Sequence, residues 1–308
     1  MILNTGSRTD IPAYYSEWFY QRIKEGFVCV RNPYNPKLIH RYQLNPSVVD
    51  CIVFCTKNPA LMLNRLDEIQ AFKQFWAVTI TPYGKDIEPN VPDKFKVIED
   101  FIKLSNVVGK NSIEWRYDPI FINDKYTMDY HIRSFTKIAQ KLSGYTNACV
   151  VSFIDLYEKT QRNFPSVQEV SLEHQIKLIQ AFVEIGNKYN ISIKTCLEKS
   201  ELGLYGADTR GCLTQEVIEK SIDHNLNIPT LPNARKGCDC LLGNDIGAYN
   251  SCGHGCVYCY ANYDNESVKR NMKQHYKDSP LLIGVIDKDD VIKDMKQVSY
   301  LDYQISLF

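Results

Sequence analysis

The chain has 308 residues, of which 44% are hydrophobic and 12% aromatic, and its formal net charge is +0. That length suffices for one barrel or two small domains, and a neutral chain has no global field that would recruit nucleic acid or an acidic membrane. No apolar run is long enough to span a bilayer, and the start MILNTGSRTD lacks the pattern of a signal peptide, so we expect a soluble cytoplasmic protein with no membrane partner.

Apolar, β-rich runs alternate with longer helical patterns. The predicted strands are, in chain order, Ile2–Asn4, Cys51–Cys55, Phe75–Ile80, Ser112–Trp115, Ala148–Phe153 and Ile191–Thr195. The predicted helices are Pro12–Lys24, Pro59–Ile69, Asp93–Leu104, Met128–Leu142, Leu172–Tyr189, Thr214–His224 and a basic one at Val268–Lys277. Two runs, Phe27–Arg31 and Lys37–Tyr42, flank NPYNP and predict an inserted hairpin. A βαβα order predicts an α/β fold with a parallel sheet, and we expect a complete or partial (β/α) TIM-like barrel.

Polar side chains follow each predicted strand. Ligands bind at the carboxyl ends of strands in barrels and doubly wound sheets, so these positions are candidates for holding a cofactor or substrate. The candidates are Arg8, Asp10, Lys57, Asn58, Arg116, Asp118 and Asp155. The alternatives are helix caps, for Asp10 and Asn58, and a local ion pair, for Arg116 and Asp118.

Eleven cysteines are many for a cytosolic chain, where clustered thiols point to metal. Four of them lie in apolar, β-branched runs and are expected to be buried structural residues, namely Cys29, Cys51, Cys55 and Cys149. The other seven lie in the C-terminal part of the chain and are the candidate metal ligands, namely Cys196, Cys212, Cys238, Cys240, Cys252, Cys256 and Cys259.

The stretch NSCGHGCVYCYAN contains Cys252, Cys256 and Cys259 at the spacing C-x3-C-x2-C. Three thiolates so close together suit an iron–sulfur cluster, and a four-iron cluster with three cysteines keeps one iron open for a small molecule. Gly253 and Gly255 suit a loop that folds back sharply, since glycine tolerates positive φ. The main alternative is a zinc site, in which other thiolates complete four ligands.

This stretch resembles the signature of the radical S-adenosylmethionine (SAM) superfamily. The resemblance implies that the three cysteines hold a [4Fe–4S] cluster whose open iron binds SAM. It further implies that an electron, from a donor such as flavodoxin or ferredoxin, cleaves SAM to a 5′-deoxyadenosyl radical that abstracts hydrogen. Tyr258, directly before the third cysteine, is then the residue that packs near the adenine. The YCYAN ending is similar to that of spore photoproduct lyase.

Over nearly its whole length the chain resembles a bacterial family called domain of unknown function 1848. The resemblance is carried by SRTDIPAYYSEWF, RNPYNP, CTKNP, EWRYDPI, SFIDLY, DIGAYNSCGHGCVYCYAN and the terminal YLDYQISLF. In most radical SAM proteins the cysteine loop follows the first barrel strand, whereas here it lies near residue 255. The barrel is therefore expected to be permuted, or the loop to reach its mouth from a C-terminal extension.

The remaining four thiols could ligate a second [4Fe–4S] cluster, since Cys196 ends a predicted strand at the barrel mouth. A structural zinc and unligated cysteines are the alternatives. His254, between two cluster cysteines, is expected to be an exposed loop histidine. We expect a barrel core over residues 1–200, with the hairpin at about 27–43, and a Cys-rich iron–sulfur region with a C-terminal helix and tail over 201–308. The two are expected to pack as one unit.

The expected function is that of a radical SAM enzyme with its active site in the barrel mouth, because radical chemistry needs a dry, enclosed site. The substrate stays open between a small molecule, a peptide and a nucleic acid. The alternatives are a non-catalytic zinc-stabilised binding protein and a lesion-repair lyase similar to spore photoproduct lyase.

Overall fold

The computed structural model describes residues 1–229, 240–241 and 243–302. Its strands are β1 Ile2–Asn4, β2 Phe27–Arg31, β3 Leu38–Gln43, β4 Cys51–Thr56, β5 Gln74–Thr79, β6 Ile113–Ile120, β7 Ala148–Phe153, β8 Ser192–Thr195 and β9 Val291–Asp294. Its α-helices are α1 Ile11–Tyr14, α2 Ser16–Glu25, α3 Lys94–Val108, α4 Met128–Leu142, α5 Glu158–Asn163, α6 Leu172–Tyr189, α7 Gln215–Ile222 and α8 Asn265–Met272. Cys238 and the last six residues of YLDYQISLF lie outside the described part.

Six strands form one parallel sheet in the order β1-β4-β5-β6-β7-β8. All six strands predicted for the core are therefore confirmed, as is the α/β class. In the described chain β1 and β8 are the two edges and do not pair with each other, which fits a partial barrel. No helix in the ranges given above is both long and apolar enough to cross a membrane.

Irregular chain segments occupy the gap between the two edge strands. Asp208 forms a parallel bridge to β8, and Asp245 forms one to β1. The segments that carry them meet, because the Leu241 N–H donates to the Leu213 carbonyl at 2.9 Å. Residues 208–213, 240–241 and 243–246 therefore span the side of the barrel that no strand closes.

The two faces of the sheet bury different residues, as the alternation of side chains along a strand requires. The outer face packs on the helices, where Phe54 stacks on Trp76 with ring centroids 4.1 Å apart. The inner face has a smaller apolar cluster into which α7 inserts. The Ser221 hydroxyl of α7 bonds the Gln74 carbonyl at the start of β5, at 3.1 Å. Helix α7 thus fills the amino end of the barrel, and the carboxyl end stays open.

Two predicted helices differ in kind from the observed ones, and the basic helix expected over Val268–Lys277 is observed as α8, Asn265–Met272. The helix expected over Pro12–Lys24 is divided into α1 and α2 at Tyr15, whose φ of −136° is not helical. The helix expected over Pro59–Ile69 is a 3-10 helix covering Leu63–Ile69. In contrast, α4 and α6 have the predicted bounds, because their long amphipathic patterns and side-chain caps at Thr127 and Ser171 define them locally.

The predicted hairpin is confirmed, since β2 and β3 pair in antiparallel fashion. It is joined by β9, which runs parallel to β3. Sequence reasoning missed β9 because all four of its residues are exposed, so they carry no alternation of apolar and polar side chains.

A buried histidine links β6 to α4. His131 is fully buried, its Nε2–H donates to the Phe121 carbonyl at 2.9 Å, and the Tyr117 hydroxyl donates to its Nδ1 at 2.9 Å. Burial lowers the pKa of His131 to about 4. The neutral ring is therefore the form that the folded protein holds.

Replacing His131 with glutamine should flatten the pH dependence of stability. Between the folded pKa of about 4 and the unfolded value of about 6.5 the unfolded chain binds the extra proton, so the stabilisation present above pH 6.5 is lost as pH falls. From pH 7 to pH 5, the wild type should lose about 2 kcal/mol more unfolding free energy than His131→Gln. Denaturant titration at both pH values measures this. The exposed His174→Gln should keep the wild-type slope, and equal slopes for all three proteins would contradict the assignment.

Candidate functional site

A cavity of about 280 Å³ lies at the carboxyl ends of the parallel strands. Strand ends and the cysteine loop both line it, and the residues considered below are Arg8, Asp10, Cys55, Lys57, Arg116, Asp118, Asp155, Cys196, Cys212, Cys252, His254, Cys256, Tyr258 and Cys259. Another cavity, of about 310 Å³, lies at the amino ends of the strands, and no cysteine is among the described residues that line it. The thiols and the candidate polar residues therefore converge on the carboxyl-end cavity, where ligands bind in such folds.

Each glycine of the cysteine loop has its own steric reason. Gly255 has φ +69°, a conformation that residues with a side chain rarely adopt. Gly253 has no positive φ, but a Cβ there would come within 2.7 Å of the Tyr14 ring. The prediction of a positive φ is therefore correct for Gly255 and wrong for Gly253. At Gly253 the close approach of the Tyr14 ring requires glycine instead.

Hydrogen bonds from backbone and side-chain groups to backbone carbonyls hold the cysteine loop in place. The Val257 N–H donates to the Ile87 carbonyl at 3.0 Å. The Asn90 side chain donates to the Gly253 carbonyl at 2.8 Å, and the Asn262 side chain donates to the Cys252 carbonyl at 2.8 Å. The loop begins just after the segment that bridges β1, so it reaches the mouth from the open edge of the sheet.

His254 is buried, so its expected exposure is wrong. Its Nε2–H donates to Asp10 Oδ2 at 2.8 Å, and the Tyr14 hydroxyl lies 3.1 Å from its Nδ1. The loop folds back onto α1 and so removes this ring from water. Sequence analysis could not predict this contact, because Asp10 and His254 are 244 positions apart.

Asp10 joins three parts of the chain. Its Oδ1 accepts from the Ala13 N–H and the Thr56 hydroxyl, and its Oδ2 accepts from the Lys57 N–H and from His254. Two bonds at each oxygen satisfy most of the acceptor capacity of a carboxylate. Asp10 lines the cavity, but its bonds cap α1 and position the cysteine loop.

A buried carboxylate that sequence reasoning missed lies behind the loop. Glu88 accepts from Lys57 Nζ at 2.9 Å and from the Thr81 hydroxyl at 2.7 Å, and it also bonds Lys94 and the Tyr258 hydroxyl. Burial would raise the pKa of Glu88, but the two lysines outweigh it and lower the pKa to about 2. Glu88 lies in a polar loop after β5, and this position in the sequence did not indicate that it would be the buried partner of two lysines.

Lys57 connects Glu88 to the cysteine loop. Its Nζ lies 5.6 Å from the centroid of the Tyr258 ring. Burial alone would lower the pKa of Lys57, but Glu88 and Cys256 raise it, so the side chain stays charged. Burial raises the pKa of the Cys256 thiol to about 12, against the effect of Lys57. A thiolate at Cys256 therefore needs a further cation, such as a bound metal.

The strand-end pair Arg116 and Asp118 forms the local ion pair that the sequence left open. Arg116 Nη2 donates to Asp118 Oδ2 at 2.5 Å, and its Nε donates to the same oxygen at 3.1 Å. The positive charge of Arg116 also helps to lower the pKa of the Cys212 thiol. Both residues line the cavity, so the pair is part of its wall.

Three thiols form a compact group at the gap in the barrel. Cys212 Sγ lies 3.4 Å from Cys196 Sγ and 3.3 Å from Cys240 Sγ, and all three sulfurs lie within 4.8 Å of one another. Hydrogen bonds from its two neighbours lower the pKa of Cys212 well below its usual value. The structure thus has a cysteine group that could hold a metal ion. Cys238, the fourth predicted ligand, lies outside the described residues.

The other predicted positions lie at the rim or away from the cavity. Arg8 lies 4.0 Å from Asp245, and Asp155 is exposed. Asn58 does not line the cavity, and its side chain accepts from the Ala60 N–H at 3.2 Å, as a cap does. Of the four cysteines expected to be structural, Cys55 is half-buried and lines the cavity, while the other three are buried.

Replacing Glu88 with glutamine should lower the free energy of unfolding by about 3 kcal/mol, because it leaves Lys57 and Lys94 partly buried beside each other without a counter-charge. Chemical denaturation at pH 7 measures the change. The exposed Glu99→Gln on α3 is the control and should stay within about 0.5 kcal/mol of the wild type. Equal stability of the two variants would show that Glu88 does not anchor this side of the barrel.

Comparison with known proteins places the chain in a family. A family model described as Domain of unknown function (DUF1848) matches residues 2–261. Searches of curated proteins and of solved structures found no match. The matched range begins with β1 and extends through the cysteine loop, so it includes both thiol groups and the cavity between them. The chain therefore belongs to the DUF1848 family.

Proposed function

We propose that this protein is a radical SAM enzyme whose [4Fe–4S] cluster is held by Cys252, Cys256 and Cys259. The observation that carries the proposal is the position of these thiols. A loop with the C-x3-C-x2-C spacing lies at the carboxyl ends of parallel barrel strands, and all three cysteines line the same cavity. A cluster with three protein ligands keeps one iron for SAM, and that iron would face the cavity.

The arrangement of the sulfurs supports a cluster over a single ion. Among the described residues, the sulfurs within 4.8 Å of one another are those of Cys196, Cys212 and Cys240, and the loop cysteines form no group of that compactness. Ligands of one zinc ion must converge, because each zinc–sulfur bond is about 2.3 Å long. Thiolates of a four-iron cluster bind different irons and stay further apart. The loop thiols lack the compactness of a single-ion site, which favours the cluster.

The path of the chain supports the same proposal. The segment at Asp245 lies parallel to β1 at the outer edge of the sheet, and the cysteine loop follows it. This is the position that the first strand and its cluster loop would have in a permuted barrel. The late position of the motif in the sequence is thus compatible with the usual spatial position of a cluster loop.

The cavity wall offers side chains for holding SAM and a substrate. We assign a carboxylate-binding or phosphate-binding role to Arg8 and Arg116, since guanidinium groups bind such anions bidentately. Asp118 and Asp155 are suited to a ribose hydroxyl or an amine, and the Tyr258 ring to the adenine. Lys57 and Asp10 act on the loop, the first by its charge beside Cys256 and the second through His254.

The chemistry that the cluster would supply is the reductive cleavage of SAM, with electrons from a small donor protein such as flavodoxin or ferredoxin. The contribution of the protein to the reaction would be to enclose the reacting groups. The loop, α1 and the strand ends surround the cavity, which limits the access of water to reactive species. A volume of about 280 Å³ is at the lower end of the range for ligand cavities, which favours a small substrate or a single protruding group of a larger one.

Replacing Cys256 with alanine should remove most of the iron and sulfide of this cluster and abolish the formation of 5′-deoxyadenosine from SAM. Anaerobically purified protein, dithionite as reductant and chromatography of the nucleoside products provide the measurement. Cys29→Ala, which removes a buried thiol from the separate small sheet, is the matched control and should keep both properties. Full SAM cleavage by Cys256→Ala, or a colourless wild type that contains only zinc, would rule the proposal out in favour of a zinc-stabilised binding protein.

A further inference from the structure

The compact thiol group at Cys196, Cys212 and Cys240 has the dimensions of a site for one metal ion. A tetrahedral zinc–thiolate site, with bonds of about 2.3 Å, holds its sulfurs about 3.8 Å apart. The observed sulfur contacts of 3.3 and 3.4 Å, with all three sulfurs within 4.8 Å, are close to that spacing. They are far longer than a disulfide bond of about 2.05 Å, so these sulfur pairs are not disulfides.

The surroundings of Cys240 are those of a metal-bound thiolate. Its sulfur accepts backbone N–H groups of Cys212 at 3.2 Å and Leu213 at 3.4 Å. Gly211 has φ +127°, and a Cβ there would lie 3.3 Å from the Cys240 sulfur. A turn that lets two N–H groups converge on one sulfur stabilises negative charge there, as groups around metal ligands commonly do.

The charge around Cys196, Cys212 and Cys240 also favours a divalent metal ion. Three thiolates with one divalent cation would carry a net charge of −1. Arg116, whose positive charge acts on the Cys212 thiol, supplies a compensating positive charge. A hydrophobic cluster that includes Leu213 and Ile218 covers the side away from the cavity, so the site is shielded from water there.

We propose that Cys196, Cys212 and Cys240 bind one zinc ion, which joins the two edges of the partial barrel. Cys196 follows β8, Cys212 follows the segment bridged to β8, and Cys240 precedes the segment bridged to β1. The ion thus crosslinks the gap that no described strand closes. This inference replaces the second [4Fe–4S] cluster expected from the sequence, and it is independent of the proposed SAM cluster because its three ligand cysteines are not those of the cysteine loop.

Zinc takes four ligands, so one position remains beyond the three thiolates. Cys196 and Cys212 line the cavity that the cysteine loop also lines. A water or a substrate atom in the cavity can therefore fill the position. The zinc would then be a binding site for a substrate thiol, amine or carboxylate.

The test uses full-length protein in which Cys252, Cys256 and Cys259 are all alanine, so that the proposed cluster is absent. It is purified anaerobically and then incubated with iron, sulfide and zinc together. We expect one zinc per chain by elemental analysis, no bound sulfide, and zinc absorption spectra with sulfur ligands at about 2.3 Å. Cobalt reconstitution should give the intense visible bands of tetrahedral cobalt–thiolate.

Adding Cys212→Ala to that protein should reduce bound zinc at least tenfold, whereas adding Cys29→Ala should leave it at one per chain. Because Cys212→Ala could fail to fold, a chelator titration of the unsubstituted protein gives a second measurement, in which zinc removal should lower the thermal midpoint and zinc re-addition should restore it. Iron with sulfide, a disulfide between two of the three cysteines, or no metal would overturn the proposal.

Discussion

The gap between β8 and β1 is the constraint on which the rest of the structure depends. Eight parallel strands close a barrel in the TIM fold, and here six strands leave two edges with unpaired backbone groups. Bridges from Asp208 and Asp245 satisfy some of these groups, and the bond between Leu241 and Leu213 joins the two segments. The barrel interior is therefore enclosed by irregular chain at the gap, and this is where the compact thiol group lies.

This way of closing the barrel also positions the cavity. Helix α7 fills the amino end of the interior, and the segment beside β1 leads the chain to the carboxyl end, where the cysteine loop covers the mouth. The two thiol groups thus line one cavity from different sides. Each has its own buried cation, with Lys57 beside Cys256 and Arg116 beside Cys212. Such cations favour the anionic thiolate that a metal needs.

Fixed hydrogen bonds hold the loop in place where regular structure is absent. Asp10 ties α1, the end of β4 and His254 together, and Glu88 holds Lys57 and Tyr258 behind the loop. Charged groups this deeply buried are stable only when each has a partner, and here each has several. The loop geometry is therefore supported by a carboxylate on either side.

The sequence by itself determined the six strands of the parallel sheet, the inserted hairpin, the long helices α4 and α6, the parallel α/β class and the spacing of the loop cysteines. These depend on neighbours within a few positions, such as the caps of α4 and α6 and the continuous apolar runs of β4 and β7. The tertiary structure alone decided the partial barrel, the burial of His254, the role of Glu88 and the convergence of Cys196, Cys212 and Cys240. Each of these joins residues far apart in the chain, and no local pattern records which distant segments will fill the gap between two strand edges.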